Sequence, residues 1–134
     1  MDGLHEHIHY SERSGQIAFS ITERSNVCVI SRMPIQKGIL NPFGVVQAGA
    51  MVWLADVTAS VLVLEAHSAE ASGKGFPLAI DLHTSLFANQ KDGEIKAEAR
   101  FVRKGRKVSV VRTRLTGNGD RLLAEVTSTH VPAE

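Results

Sequence analysis

Asp56 is the residue of this sequence most in need of a reason. It stands in the run VVQAGAMVWLADVTASVLVLEAH, Val45 to His67, with Thr58 and Ser60 nearby and no Lys or Arg inside the run to pair with it. Burying an unpaired carboxylate costs several kcal/mol or raises its pKa. The chemistry open to such a group is proton transfer or nucleophilic attack. The bland alternative is an acid satisfied from a distance, by Arg112 for example. Two amides, Asn41 and Gln47, precede it, and Arg103, Lys104, Arg106 and Lys107 gather around a turn at Gly105. Most charge runs of that kind are solvated hairpin ends. His5, His7 and His9 alternate near the start. They could chelate a metal, but no Cys, Asp or further His follows at ligand spacing, so a solvated tail is the better reading.

The elements that position these groups follow from periodicity. Val46, Ala50, Leu54, Val57, Val61 and Leu64 recur at steps of three and four, the helical period. Met51, Val52, Trp53 and Val63 make the other side scarcely more polar. A helix apolar all round is expected to be buried. The run is long enough to raise the question of a membrane span. A carboxylate near its centre costs about 2.5–3.5 kcal/mol on insertion scales, so a core helix is expected and no membrane partner.

Before the helix, residues 15–22 and 26–32 read as a hairpin of two short strands, and residues 34–44, punctuated by Pro34, Gly38, Pro42 and Gly44, as loop. After it, residues 68–75 form a polar connection and the rest is strand-like. Residues 77–87 place Leu78, Ile80, Leu82 and Leu86 on one face. Residues 94–103 alternate, with Ile95, Ala97, Ala99 and Phe101 inward. Residues 107–116 and 122–131 are joined by the turn Gly117-Asn118-Gly119-Asp120, and the last puts Leu122, Ala124 and Val126 on one face. The expectation is an α+β chain, with one long helix against an antiparallel sheet. Such a sheet must curl to cover the helix, and the edges it leaves favour an oligomer.

Composition sets bounds. With 134 residues, 43% hydrophobic and 22% charged, the chain suits a single domain over 1–134 behind a polar tail at 1–14. A net charge of +1 supplies no global field for nucleic acid. The lone Cys28 excludes an internal disulfide, and with no secretory pattern at the start a cytoplasmic protein is expected.

At this point the residues match a known family. The stretch Asn41-Pro-Phe-Gly44-Val-Val-Gln47-Ala48-Gly49, followed by Asp56, resembles the hotdog-fold acyl-CoA thioesterases, in particular the phenylacetate-pathway and 4-hydroxybenzoyl-CoA branch. His83-Thr-Ser-Leu-Phe87 and Arg103-Lys-Gly-Arg106 are similar to family segments too, and the likeness runs from about Gly15 to Val131. There are departures. Gln47 stands where His is usual, and Ala48 where the first Gly of a pair is usual. Ala79 replaces a Ser found in some relatives, and Ala88 an Arg of the 4-hydroxybenzoyl-CoA branch.

The resemblance implies a hotdog fold, an antiparallel sheet wrapped around one central helix. It implies hydrolysis of an acyl-CoA thioester to a free acid and coenzyme A, with no cofactor or metal beyond the coenzyme A of the substrate. In that reading Asp56 is the general base or nucleophile, and the Ala48 N–H, at the positive end of the helix, stabilises the oxyanion. Asn41 and Gln47 add amide donors. Ser60, one turn from Asp56, orients water or the carboxylate. Arg103, Lys104, Arg106 and Lys107 hold the phosphates of coenzyme A, and Trp53 lines the acyl pocket. Plain readings stay open beside these: an exposed first-turn Gln47, a helix-packing Ser60, a core Trp53. The resemblance also implies a homo-oligomer, a dimer with shared active sites and a dimer of dimers. The rivals are a non-catalytic acyl-CoA-binding protein of the same fold, and a hotdog hydratase or dehydratase. That chemistry uses an Asp–His pair, and no His follows Asp56 closely in sequence.

Overall fold

The uninterrupted apolar run becomes helix α1, Ala48–Ala66. The alternating segments become strands β1 Ser20–Arg24, β2 Val29–Pro34, β3 Pro77–Leu86, β4 Glu94–Arg103, β5 Ser109–Thr116 and β6 Leu122–Pro132. This computed structural model describes residues 13–134, so His5, His7 and His9, and nearly all of the expected tail, lie outside the described residues. The strands form one antiparallel sheet in the order β1-β2-β4-β5-β6-β3. Helix α1 contacts all six of them. The sheet curls around the helix, as the residues of α1 require.

Two apolar clusters hold the layers together. Met51, Leu54 and Ala55 pack with Met33, Ile95 and Leu115 toward the start of the helix. Ala59, Leu62 and Val63 pack with Val29, Ala99 and Val111 toward its end. A buried leucine of this kind contributes about 1.5–3 kcal/mol. Ala55 shares a cluster with Ala97, and Ala59 with Ala99, so small side chains let the helix lie close to the sheet. Between the clusters the Ser31 and Thr58 hydroxyls are 2.5 Å apart. Thr58 donates its hydrogen to Leu54 O at 2.6 Å, which leaves Ser31 as the donor to Thr58.

Several expectations need correction. The buried stripe of α1 is Met51, Leu54, Ala55, Thr58, Ala59, Leu62 and Val63; Ala50, Val57, Val61 and Leu64 are only half-buried. With no polar face to orient the helix, the fit of Ala55 and Ala59 against the sheet decided its rotation. On β3 the row Leu78, Ile80, Leu82 and Leu86 faces no core; Ile80 is 61% exposed. The first hairpin lies further along than expected, because the Ser25 hydroxyl turns the chain by bonding Cys28 O and the Cys28 N–H. Glu23 and Arg24 are thereby strand rather than turn. In β6, Leu123 is fully buried and Leu122 is not, following a register shift against β5.

Candidate active site

The start of α1 is shaped by Asn41. Its Oδ1 accepts the Phe43 and Val45 N–H groups at 2.9 and 3.2 Å, and its backbone N–H donates to Val45 O at 2.7 Å. Gly44 closes this turn at φ 78°, a conformation that favours glycine. Gln47 is the N-cap residue, yet its side chain does not cap the helix. Instead its Nε2 donates to Leu40 O at 3.2 Å, and its backbone N–H to Ile39 O at 2.8 Å. Val46, one residue earlier, is anchored on both sides: its N–H donates to Gln90 O, and its carbonyl accepts Asn89 Nδ2. The Ala48 and Gly49 N–H groups, exposed at the helix start, are left with no protein acceptor, as the first turn of a helix dictates. Ala48 has no positive φ, so alanine fits there without strain. Asn41, Gln47 and the Ala48 N–H thus form one polar group at the positive end of the helix.

Asp56 and Ser60 form a second group, on the side of α1 turned away from the sheet. Both are half-buried. Among the described residues Asp56 has no hydrogen-bond or ion-pair partner. Arg112 does not supply one, because it lies exposed on the outer side of β5, opposite Arg100. Asp56 is nine residues beyond Gln47, about 13 Å along the axis and half a revolution around it. One chain therefore does not bring the two groups together. Trp53 stands between them, in edge contact with Phe19 at 5.1 Å between ring centroids. It lines a cleft of about 230 Å³ with Ile17, Ile39, Gln47 and Gly49.

At the other end of α1 lies a larger cleft of about 660 Å³, bordered by Val63, His67, Arg106, Lys107 and His130. The basic cluster is thereby divided. Arg106 and Lys107 face the cleft, whereas Lys104 lies 5.9 Å from the Phe101 ring centroid and Arg103 is exposed elsewhere on the turn. Burial lowers the proton affinity of His130, and the Asp56 carboxylate pulls it partway back up.

No protein-family model matches the chain, and none of the curated proteins does. Solved structures do. A variant of a thioesterase from Staphylococcus aureus superposes with a TM-score of 0.81 at 20% identity, covering 98% of this chain and 99% of that one. A thioesterase from Haemophilus influenzae gives 0.76 at 19%, over 96% and 80% of the two chains. A hypothetical thioesterase from Streptococcus pneumoniae, with coenzyme A, gives 0.76 at 17%, over 87% and 86%. The chain has the hotdog fold. Its apolar α1, long and apolar enough to cross a membrane by length and composition, is the central hotdog helix packed on its sheet.

Within this hotdog chain the sequence reasoning missed three residues. Asn89 and Gln90 hold the helix start from the β3–β4 connection, and an amide pair in a loop carries no periodic signal. His130 lies buried on β6, 74 positions from Asp56 in the chain, and its proton affinity responds to that carboxylate. Its one sequence cue is its place in the alternation of Val126 and Ser128, which points it inward.

Proposed function

We propose that the protein hydrolyses acyl-CoA thioesters as a homodimer whose sites each draw on both subunits. The observation that carries this reading is Asp56: a half-buried carboxylate on an apolar helix, with no hydrogen-bond or ion-pair partner among the described residues. Stability alone supplies no reason to keep it there. The polar group at the helix start supplies the complementary half, with open N–H groups where a thioester oxygen would gain charge. Since one chain holds the two halves about 13 Å apart, a two-fold partner is the simplest way to join them.

Two features support the dimer. The outer edge of β3 has no strand neighbour, and Ile80 and Leu82 on it are 61% and 42% exposed, with Phe87 just beyond at 56%. Gly49 is not required by its φ or by packing, since a Cβ there would meet nothing. Glycine in a helix costs up to about 1 kcal/mol relative to alanine. Its use fits close approach by something outside the chain, either substrate or partner. A dimer of such dimers extends the same reading.

Two variants of the Staphylococcus aureus protein replace a Gln and a Glu fifteen positions apart. Asn41 and Asp56 have the same separation. In the proposed reaction the carboxylate of Asp56 removes a proton from water and the oxygen attacks the thioester carbon. The Ala48 N–H and the Asn41 and Gln47 amides stabilise the oxyanion. Its collapse breaks the C–S bond, and the thiolate takes up the proton. Ser60 orients the water. Attack by the carboxylate itself is the covalent variant. Arg106 and Lys107 bind the phosphates of coenzyme A at the larger cleft, Arg103 and Lys104 add to the field, and Trp53 bounds the acyl group. The lone thiol of Cys28 fits a cytoplasmic enzyme. His130 does not favour hydratase chemistry, because its Nε2 is engaged by the Ser128 hydroxyl and its Nδ1 is buried.

The test is thiol release from a panel of aryl-, phenylacetyl- and fatty acyl-CoAs, with D56N beside the natural protein. The variant should fold, since the amide is isosteric, and lose about 10²-fold or more in kcat. Full activity of D56N on the best substrate would end the proposal; binding without turnover by the natural protein would favour a carrier.

A further inference from the structure

The open N–H groups at the start of α1 stand beside a cleft with a fixed far end. About 230 Å³ in volume, it is bordered by Gln47 and Gly49 near those groups, by Ile17 and Ile39 along its sides, and by Trp53. Trp53 follows Gly49 by four residues, so it lies on the same side of the helix, about 6 Å further along the axis. It is the last helix residue at the border. Phe19 meets the indole edge-on at 5.1 Å between ring centroids, and both rings pack against the core cluster at the helix start. The indole is therefore a held stop.

The wall that carries Ile17 is tied down from the loop before the helix. Gln36 bonds Ala18 in both directions: its Oε1 accepts the Ala18 N–H at 3.0 Å, and its Nε2 donates to Ala18 O at 2.8 Å. The Gly38 N–H donates to Gln16 O at 3.2 Å. A Cβ on Gly38 would stand 2.5 Å from Gln16 O and 2.7 Å from Ile17 Cγ2, so only glycine lets residues 15–17 lie this close. Ile17 is thus anchored through its backbone although it is 51% exposed. Gly49 leaves room on the helix side. A Cβ there would meet nothing of its own chain, and its φ is not positive, so a methyl group would take up space at the border of the cleft without straining the fold.

We propose that this cleft receives the acyl group of the thioester and limits it to a few carbons or one ring, with Gly49 and Trp53 setting the limit and Gln36 acting as a positioning residue for the Ile17 wall. The proposal rests on the thioesterase reading and names the size of acyl group that the site takes. With the carbonyl oxygen at the Ala48 N–H, the acyl carbons lead past Gly49 toward the indole. A long fatty chain would have to pass Trp53. The volume agrees, since clefts for drug-sized ligands span about 300–1,000 Å³ and this one is smaller. Gln47 is the one polar side chain at the border, so an apolar acyl group suits it.

The experiment has two arms. Trp53 is the only tryptophan of the chain, so its fluorescence reports on the cleft without turnover. Alkyl-CoA thioethers, which cannot be hydrolysed, are titrated into the natural protein while calorimetry follows binding. Hexyl-CoA should shift the Trp53 emission and free coenzyme A should not; bound hexyl-CoA with the same emission as bound coenzyme A overturns the proposal whatever the activity. In the second arm, kcat/KM is measured for acetyl-, butyryl-, hexanoyl- and dodecanoyl-CoA. The natural protein should prefer butyryl- or hexanoyl-CoA to dodecanoyl-CoA. G49A, folded and melting no lower, should reduce the hexanoyl-to-acetyl ratio by about tenfold or more, and W53A should raise the dodecanoyl-to-hexanoyl ratio by a similar factor. Q36A should raise KM for hexanoyl-CoA relative to acetyl-CoA while the kcat ratio of the two holds. An active natural protein that prefers dodecanoyl-CoA, or whose ratios are unchanged in folded G49A and W53A, overturns this proposal and leaves the thioesterase reading standing. A G49A chain that loses its dimer places a second copy in the cleft and overturns it as well. A natural protein that cleaves no acyl-CoA overturns both.

Discussion

Gln47 and Asp56 lie on one helix and face away from each other. Gln47 caps the start of α1 with its side chain turned back to Leu40 O, while Asp56 projects from the opposite side, about 13 Å further along. A thioester held at the start of α1 is therefore out of reach of the carboxylate on the same helix. Mixed oligomers turn this relationship into a measurement. Chains carrying D56N and chains disabled at Asn41 and Gln47 should each be nearly inactive. Mixing with subunit exchange gives about half heterodimers, each with one intact site and one doubly damaged site. Activity should return to roughly a quarter of the natural level per chain, by that statistical count. Heterodimers confirmed by mass that regain nothing would place the site within one chain.

The larger cleft makes a separate demand. Replacing Arg106 and Lys107 by Gln should raise KM for acyl-CoA by roughly five- to tenfold, about 1 kcal/mol, and leave kcat similar. The difference should shrink as salt is added, because both side chains are exposed. Equal KM values at low salt would make these residues ordinary solvated charges.

The β3 edge can be tested without substrate. Ile80 is 61% exposed on a strand with one free edge, so I80K should leave the chain folded and shift it from dimer to monomer in sedimentation. Activity should fall with the dimer, since each site needs two chains. A natural protein that sediments as a monomer, or an I80K dimer of undiminished affinity, would remove β3 as the contact.

His130 also shapes stability. Burial lowers its proton affinity in the folded chain, so the unfolded chain binds the proton more readily. The stability this contributes is present above the unfolded pKa of about 6.5 and is lost as pH falls below it toward the folded value. The limiting slope for one proton is about 1.4 kcal/mol per pH unit. Chemical denaturation between neutral and mildly acid pH should show a steeper loss for the natural protein than for H130Q. Parallel curves would mean that the ring titrates as freely folded as unfolded.

Much of the architecture is local, and the sequence by itself determined it. Ile95, Ala97 and Ala99 alternate with charged residues, so β4 and its inward face follow from the two-residue period of a strand. The helix follows from its long apolar run, and the turn at Gly117–Asp120 from residues that tolerate tight backbone. The resemblance singled out Asn41, Gln47 and Ala48 ahead of Asp56, and the first three do gather at the start of the helix.

Tertiary structure alone decided the rest. A helix with apolar residues on every side carries no sign of which face is buried; small residues meeting small residues, Ala55 and Ala59 with Ala97 and Ala99, set its rotation. The row on β3 reads as a core face, yet strand order places β3 outermost beside β6, where its apolar side chains lack cover from the same chain. Arg112 was a candidate partner for Asp56 until the pleat of β5 sent it outward. His130 was no candidate at all, because its burial among distant segments depends on β6 packing against α1. Periodicity assigns a residue to a face of its own element; only packing decides which element that face meets.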